Sequence, residues 1–465
     1  MNRLGVFALA LVTACSATIS GIDATTDQDA DPTPASIQPG SVSTSPIPES
    51  PPAPDVPAGP LDPDTEAALL FMVDRVFSTA FTTDPLDEVV AAGDARAAWV
   101  IADLLRFQQG GGPRDDLVAA FTALTGADRG SAFGPDFVWT TNLLIAWDLP
   151  AWEGYPELKR RLYATIYEGW DRFFREDHGV DWRLITWGGV LPDDRPFGDN
   201  RVCNCIPSLD DPATTDAAGG TWYPDDRIVF GVVVNGEALA LPKNQMEVHE
   251  MANLTLGDRQ LGIPYCTLCG SPQAYYTDNV PGTDRVVLRT SGLLSRSNKV
   301  MYDVNTWSMF NTFTGQALTG PLGEAGVVLE QVSVVTSTWG DWKLAHSDTR
   351  IIAEDGGIGF EYPLDPLGGR DANGPIFPVG DVDPRLAVQE LVVGVIAPDG
   401  TAVAFPLGAA TLAIAAGDEV TLAGLTVRQE GGLRVYDSQG NELVSHQAYW
   451  FAWSQFNPET LVWSP

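Results

Sequence analysis

From residue 65 to about 180, apolar side chains recur at spacings of three and four. Leu69, Leu70, Val73, Val76 and Phe77 form one such stripe, and Trp99, Ile101, Leu104 and Leu105 form another. This period predicts amphipathic helices. The segment Leu86–Arg106 has the form of a turn followed by the second helix of a HEAT-type repeat, so residues 65–195 are expected to be a helical domain, either a bundle or a short HEAT-like array. Tyr163, Tyr167, Trp170, Phe173 and Phe174 continue the same spacing and are expected to be one buried helix face. After about residue 195 the period shortens to two. Short β-branched runs at Ile228–Val234, Arg285–Thr290 and Val327–Val335 are separated by Gly, Pro, Asn and Asp, which predicts strands and tight turns. The fold class is therefore α+β, with helices first and a β-rich region after them.

The β-rich region repeats a pattern within itself. Asp226–Pro242 and Pro384–Pro406 each carry Gly-Val, a hairpin turn (Asn235-Gly236 or Asp399-Gly400), and an alternating run that ends in proline. Further on, Trp339-Gly-Asp-Trp342 with Asp348-Thr349 corresponds without gaps to Trp450-Phe-Ala-Trp453 with Glu459-Thr460. An internal duplication is expected, with copy one at 196–370 and copy two at 371–465, and the paired tryptophans are expected to pack.

The N-terminus departs from both patterns. A basic start at Arg3, an apolar run Leu4–Leu11, and small residues before Cys15 resemble a bacterial lipoprotein signal, with 1–14 removed and lipid carried by Cys15. Residues 15–64 are rich in Pro and Asp. Between Ser16 and Asp64 there is no aromatic residue, Lys or Arg, so the segment is expected to be a disordered tether. The protein is thus expected in the cell envelope, extracytoplasmic, and joined to a membrane through its N-terminal lipid.

Charge narrows the partners. With 27 Lys+Arg against 61 Asp+Glu, the 465-residue chain has a formal net charge of −34, which argues against nucleic acid. A polybasic membrane patch is equally disfavoured, since the lysines are Lys159, Lys243, Lys299 and Lys343 alone. A protein partner is expected to dock, if anywhere, on the helical domain.

Chemistry concentrates where the copies differ. Seven residues beyond the terminal proline, copy one has His249 followed by Glu250, where copy two has Ala413. Copy one then has Cys266-Thr-Leu-Cys269-Gly270. Two cysteines flanking a turn that ends in glycine can direct both sulfurs to one point, and thiolates with an imidazole suit zinc or copper. The candidate site is His249, Cys266 and Cys269, with Cys203 and Cys205 as further sulfur donors and Glu250 placed to orient the imidazole. Two other readings stay open. In an oxidising compartment the four cysteines can form two disulfides, expected to cross-pair Cys203 and Cys205 with Cys266 and Cys269 because a bridge within Cys203-Asn-Cys205 is a strained ring. Alternatively, Cys266 and Cys269 are a reactive thiol pair. His178, His346 and His446 read as structural, and no Gly-x-Ser-x-Gly, phosphate loop or His-Glu-x-x-His is present.

Several stretches together resemble a known family. They are Val232–Pro242, His249-Glu250 with Asn253, Tyr265–Ser271, Ser291–Leu294, Asn298–Asp303, Thr314–Leu322 and Trp450–Trp453. The resemblance is to the prokaryotic domain-of-unknown-function family 3179 and covers about residues 205–465. That family commonly has Pro after the first cysteine, where this chain has Thr267. The resemblance directs attention to His249, Cys266 and Cys269 and implies no reaction.

Overall fold

The structure is a computed structural model that describes residues 51–465 apart from 131, 133, 175–179 and 371–373. The expected signal 1–14, Cys15, most of the tether and His178 lie outside the described residues. Helices come first and sheets after them, as the change of period predicts. Six helices, α1 (Pro63–Val73), α2 (Leu86–Ala92), α3 (Ala98–Leu105), α4 (Gly111–Thr125), α5 (Asp136–Ala146) and α6 (Tyr155–Ile166), pack with α3 at the centre. Seven of the eight residues of α3 are buried, which a helix enclosed on all sides requires. Of the aromatic stripe Tyr163, Trp170 and Phe173 are buried and Tyr167 and Phe174 half-buried, and they do not share one helix: α6 ends at Ile166, Tyr167 turns extended, and Glu168–Phe174 continue as a 3-10 helix. The Glu168-Gly169 pair supplies the break, glycine being a poor helix former. Among the described residues no helix is long and apolar enough to cross a membrane.

Two expected boundaries shift. The end of the proline-rich segment is docked rather than free: Arg96 donates to Gly59 O at 2.6 Å and Pro60 O at 3.3 Å, Trp147 Nε1 donates to Pro51 O at 2.7 Å, and Leu61 is buried. Proline removes N–H donors but leaves every carbonyl free to accept. Residue 195 is not a core boundary either. Ile185–Trp187 pair antiparallel with Leu293–Ser295, and Leu293, Val300, Tyr302 and Met309 belong to the core of the helices.

Two sheets of the β-rich region share one plan. In the first, Val335–Thr338 lies antiparallel to Ile228–Val234, which forms a hairpin with Glu237–Pro242, against which Arg350–Ile352 runs parallel. In the second, the same places are taken by Ser445–Tyr449, Leu391–Ile396, Ala402–Pro406 and Leu461–Val462, with the same directions. Each hairpin strand ends in proline and passes straight into a helix, Lys243–His249 or Leu407–Ala416. Each tryptophan pair opens a helix, Trp339–Ala345 or Trp450–Phe456. The glycine of each Gly-Val step is there for contact: a Cβ on Gly231 would lie 2.2 Å from Trp342, and one on Gly394 would lie 2.2 Å from Trp453. The indoles are then fixed by equivalent hydrogen bonds, Trp342 Nε1 to Thr349 Oγ1 at 2.8 Å and Trp453 Nε1 to Thr460 Oγ1 at 3.0 Å. The four tryptophans therefore pack, as expected.

Candidate functional site

The strand Arg259–Cys266 delivers Cys266 to the interior, Thr267–Cys269 form a single 3-10 turn, and Gly270 adopts φ +57° to leave it. Only glycine takes this place without strain, and a Cβ there would also meet the Tyr449 ring at 3.1 Å. The turn brings the two sulfurs to 2.9 Å, with Cys266 3% and Cys269 0% exposed. Over them sits the tip of the hairpin joining Leu288–Ser295 to Asn298–Asp303, where Arg296 and Ser297 both have positive φ. Cys269 Sγ lies 3.1 Å from Asn298 Oδ1 and 3.4 Å from Ser297 O. Asn298 is held in that orientation because its amide nitrogen donates to Arg296 O at 3.1 Å and Gln455 Oε1 at 3.0 Å. Gln455 belongs to the second tryptophan helix, so the dithiol of the first unit is braced by the second. Cys266 and Cys269 accordingly share a core with Val392, Trp450 and Trp453.

Electrostatics divide the two thiols. Burial opposes ionisation of both; the hydrogen bond from Cys269 and the Lys299 ammonium nonetheless bring the Cys266 thiol below its ordinary value, while burial and the neighbouring sulfur push Cys269 well above it. Of the two, Cys266 is therefore the thiol that ionises first. Lys299 is fixed by Glu250, whose carboxylate Oε2 accepts at 2.7 Å and whose carbonyl accepts at 2.8 Å. Thr267, inside the turn, donates to Glu250 Oε1 at 2.7 Å. A small cavity of about 40 Å³ lies against this group, lined by Glu250, Thr267, Leu268, Lys299, Val190 and Ile206.

The expected histidine is elsewhere. His249 Nδ1 lies 2.6 Å from Pro207 O and its Nε2 lies 2.6 Å from Tyr362 Oη. A carbonyl can only accept, so Nδ1 carries the proton and Nε2 accepts from the tyrosine. Burial lowers its pKa to about 4, so the ring is neutral and both nitrogens are engaged. The structure does not bring His249 to the two sulfurs. Glu250 likewise orients Lys299 and Thr267 rather than the imidazole, because its positive φ of 52° at the helix end turns it away from the preceding residue's ring.

Cys203 and Cys205 are joined to each other, with a Cα separation of 5.2 Å, inside the ordinary range. The expected cross-pairing is therefore replaced by local pairing. Their sulfurs and an oxygen of buried Asp193 lie within 4.8 Å of one another, the one cluster of three such ligand atoms among the described residues. The bonded sulfurs are not thiolate donors, and the carboxylate is already engaged. Arg195 donates to Asp193 at 2.6 and 2.9 Å and Ser208 N at 2.8 Å, and these contacts, with Arg289, outweigh burial and hold its carboxyl below the usual range. For zinc or copper the set at the turn is two sulfurs. At 2.9 Å they are closer than the edge of a tetrahedral zinc–thiolate site, about 3.8 Å for Zn–S bonds of about 2.3 Å.

Asn298, Lys299 and Gln455 are the contributors that residue type alone did not single out, although Asn298 and Lys299 stand within the stretch that carries the family resemblance. His446 is buried against Phe313 and Trp453, and burial lowers its pKa to about 4, so it is a neutral core residue. His346 packs against Trp342 with ring centroids 4.1 Å apart and the planes tilted by 43°.

No curated protein and no solved structure matches the chain. The family model described as protein of unknown function (DUF3179) matches residues 203–435, which takes in the two cysteine pairs, His249, Glu250 and Lys299. On that match over half its length, the chain belongs to the DUF3179 family.

Proposed function

We propose that this is an exported, lipid-anchored envelope protein in which Cys266 and Cys269 act as a thiol–disulfide couple, seated between two β units that arose by duplication. The observation that carries the redox reading is the 2.9 Å separation of the sulfurs across one turn, within about 1 Å of a disulfide bond. Oxidation by a partner disulfide balances as exchange. The Cys266 thiolate attacks a sulfur of that disulfide to give a mixed disulfide, Cys269 loses its proton and attacks Cys266 Sγ to displace the partner, and the partner leaves with two electrons, the Cys269 proton and one proton from solvent. A cross-link across so short a loop is a poor staple: closing three or four residues stabilises by about 2 kcal/mol, against about 4 kcal/mol for the loop of about sixty residues that cross-pairing would close. Local pairing thus forgoes about half of the stability available from four cysteines, which fits exchange chemistry better than reinforcement.

A second reading is a non-enzymatic scaffold with a permanent disulfide at this turn, favoured by the 3% and 0% exposure of the two sulfurs. Thiol titration with elemental analysis on protein purified without reductant separates the readings. The redox couple predicts no stoichiometric metal and a Cys266–Cys269 pair that interconverts reversibly in the folded protein. A pair that can be reduced only by unfolding refutes it. Anchoring through Cys15 rests on the basic, apolar and small-residue pattern before it, and Cys15→Ser is expected to move the protein from the membrane to the soluble fraction.

A further inference from the structure

The Cys203–Cys205 disulfide is left unused by a redox reading of the buried pair. Both its cysteines are half-buried, beside Val202, which is 98% exposed, and no helix or strand holds the chain from Phe197 to Asn204. Its far side is anchored: Ile206 O accepts from Thr290 Oγ1 at 3.1 Å, and Pro207 O accepts from His249. The anchored side leads directly to the dithiol. Ile206, next to Cys205, lines the small cavity together with Thr267 and Leu268, the two residues between Cys266 and Cys269. Leu191, which bridges to Cys205, follows Val190, another residue of that cavity. One pair is therefore open to a protein partner, the other is closed to it, and residues of both loops line the same small cavity.

We infer that Cys203–Cys205 is a second thiol–disulfide exchange centre, the surface port through which a partner protein's dithiol reduces the buried Cys266–Cys269 couple. This rests on the redox reading of that couple. In the first exchange a partner thiolate attacks one sulfur of the Cys203–Cys205 bond, and the partner's second thiolate displaces the mixed disulfide. The partner leaves oxidised, and Cys203 and Cys205 hold two electrons and two protons as thiols. In the second exchange the Cys205 thiolate attacks the oxidised Cys266–Cys269 bond and Cys203 displaces it. The port is a disulfide again, and the interior pair holds both thiols. The open side of the port is the stretch before Cys203, and the geometry fits because the anchored side is the one that faces the cavity.

The test uses the full chain, oxidised, with two probes: reduced thioredoxin, a protein dithiol too large to enter, and dithiothreitol. Isotope-coded alkylation with peptide mass spectrometry follows each pair separately. In the wild type, thioredoxin is expected to reduce Cys266–Cys269. In Cys203→Ser/Cys205→Ser that rate is expected to fall at least tenfold, while dithiothreitol reduces the buried pair equally in both proteins, which also reports that the variant is folded. Equal rates with thioredoxin in the two proteins overturn the port and leave the buried couple standing. A buried pair that neither probe reduces in folded wild type overturns the redox reading itself.

Discussion

Replacing Lys299 by Met tests the electrostatic half of the site. The ammonium lies 2.7 Å from Glu250 Oε2, with the two side chains 5% and 12% exposed, and it also donates to Glu250 O. Methionine preserves the length and apolar stem, so the change removes charge and two hydrogen bonds with little cavity. The Glu250 carboxylate then keeps its hydrogen bond from Thr267, and an uncompensated buried charge costs about 3–5 kcal/mol. Because Glu250 retains a little solvent contact, the lower end, about 3 kcal/mol, is expected. The double variant Lys299→Met/Glu250→Gln removes both charges and should recover about 2 kcal/mol of that loss, leaving a deficit of about 1 kcal/mol. Urea unfolding followed by tryptophan fluorescence reads the stability. Ultraviolet thiolate absorbance against pH, with Cys266→Ser as the blank, reads the site. Lys299 favours the Cys266 thiolate and Glu250 opposes it, so the single variant should titrate at higher pH and the double variant should return toward wild type. A single variant that loses less than about 1 kcal/mol, or a thiol titration that does not move, refutes the assignment of this pair as the support of the turn.

Gly231→Ala and Gly394→Ala should each destabilise by about 2–4 kcal/mol, since the new methyl would stand 2.2 Å from an indole that its hydrogen bond to Thr349 or Thr460 prevents from retreating. Gly408→Ala, on a helix with open space around it, should be neutral or slightly stabilising in the same urea assay. For His249 and His446, folded pKa values of about 4 lie below the unfolded 6.5, so the unfolded chain binds more protons between these limits. Stability is unaffected by them above pH 6.5, falls as pH drops from 6.5 toward 4, and is fully lost below that, by roughly 3 kcal/mol per ring. His446→Gln should flatten that fall by the same amount in urea midpoints taken across the window. Arg96→Met should free the docked end of the proline-rich segment, read as faster proteolysis between residues 51 and 62 with the helices intact.

Those features of the fold that local pattern sets are legible in the sequence. Hairpin turns at Asn235-Gly236 and Asp399-Gly400, the Trp-x-x-Trp helices and their downstream threonines are all visible as spacing, and each becomes a contact of the kind spacing can specify. The turn at Cys266–Cys269 is legible for the same reason, glycine being required at its exit. What spacing misses is long-range. Pro207 and Tyr362, the partners of His249, are 42 and 113 residues away, and nothing in the residue types distinguishes a histidine satisfied by a carbonyl and a hydroxyl from one free to bind metal. Adjacency in sequence pairs Glu250 with His249, whereas the positive φ at the helix end turns it to Lys299, 49 residues on. Cysteine pairing has the same character: four cysteines allow three connectivities, and only distances in the fold select one.

The chemistry proposed for this protein stands or falls on whether Cys266 and Cys269 interconvert between dithiol and disulfide while the chain remains folded. Equilibrating the full chain in a series of oxidised and reduced dithiothreitol buffers, then quenching, alkylating and counting label on the peptide that spans the turn, measures this directly. A single reversible two-electron transition is expected, tenfold in the equilibrium constant for about 30 mV, with tryptophan fluorescence unchanged across it. A turn peptide locked in one state until the fluorescence reports unfolding would rule the couple out.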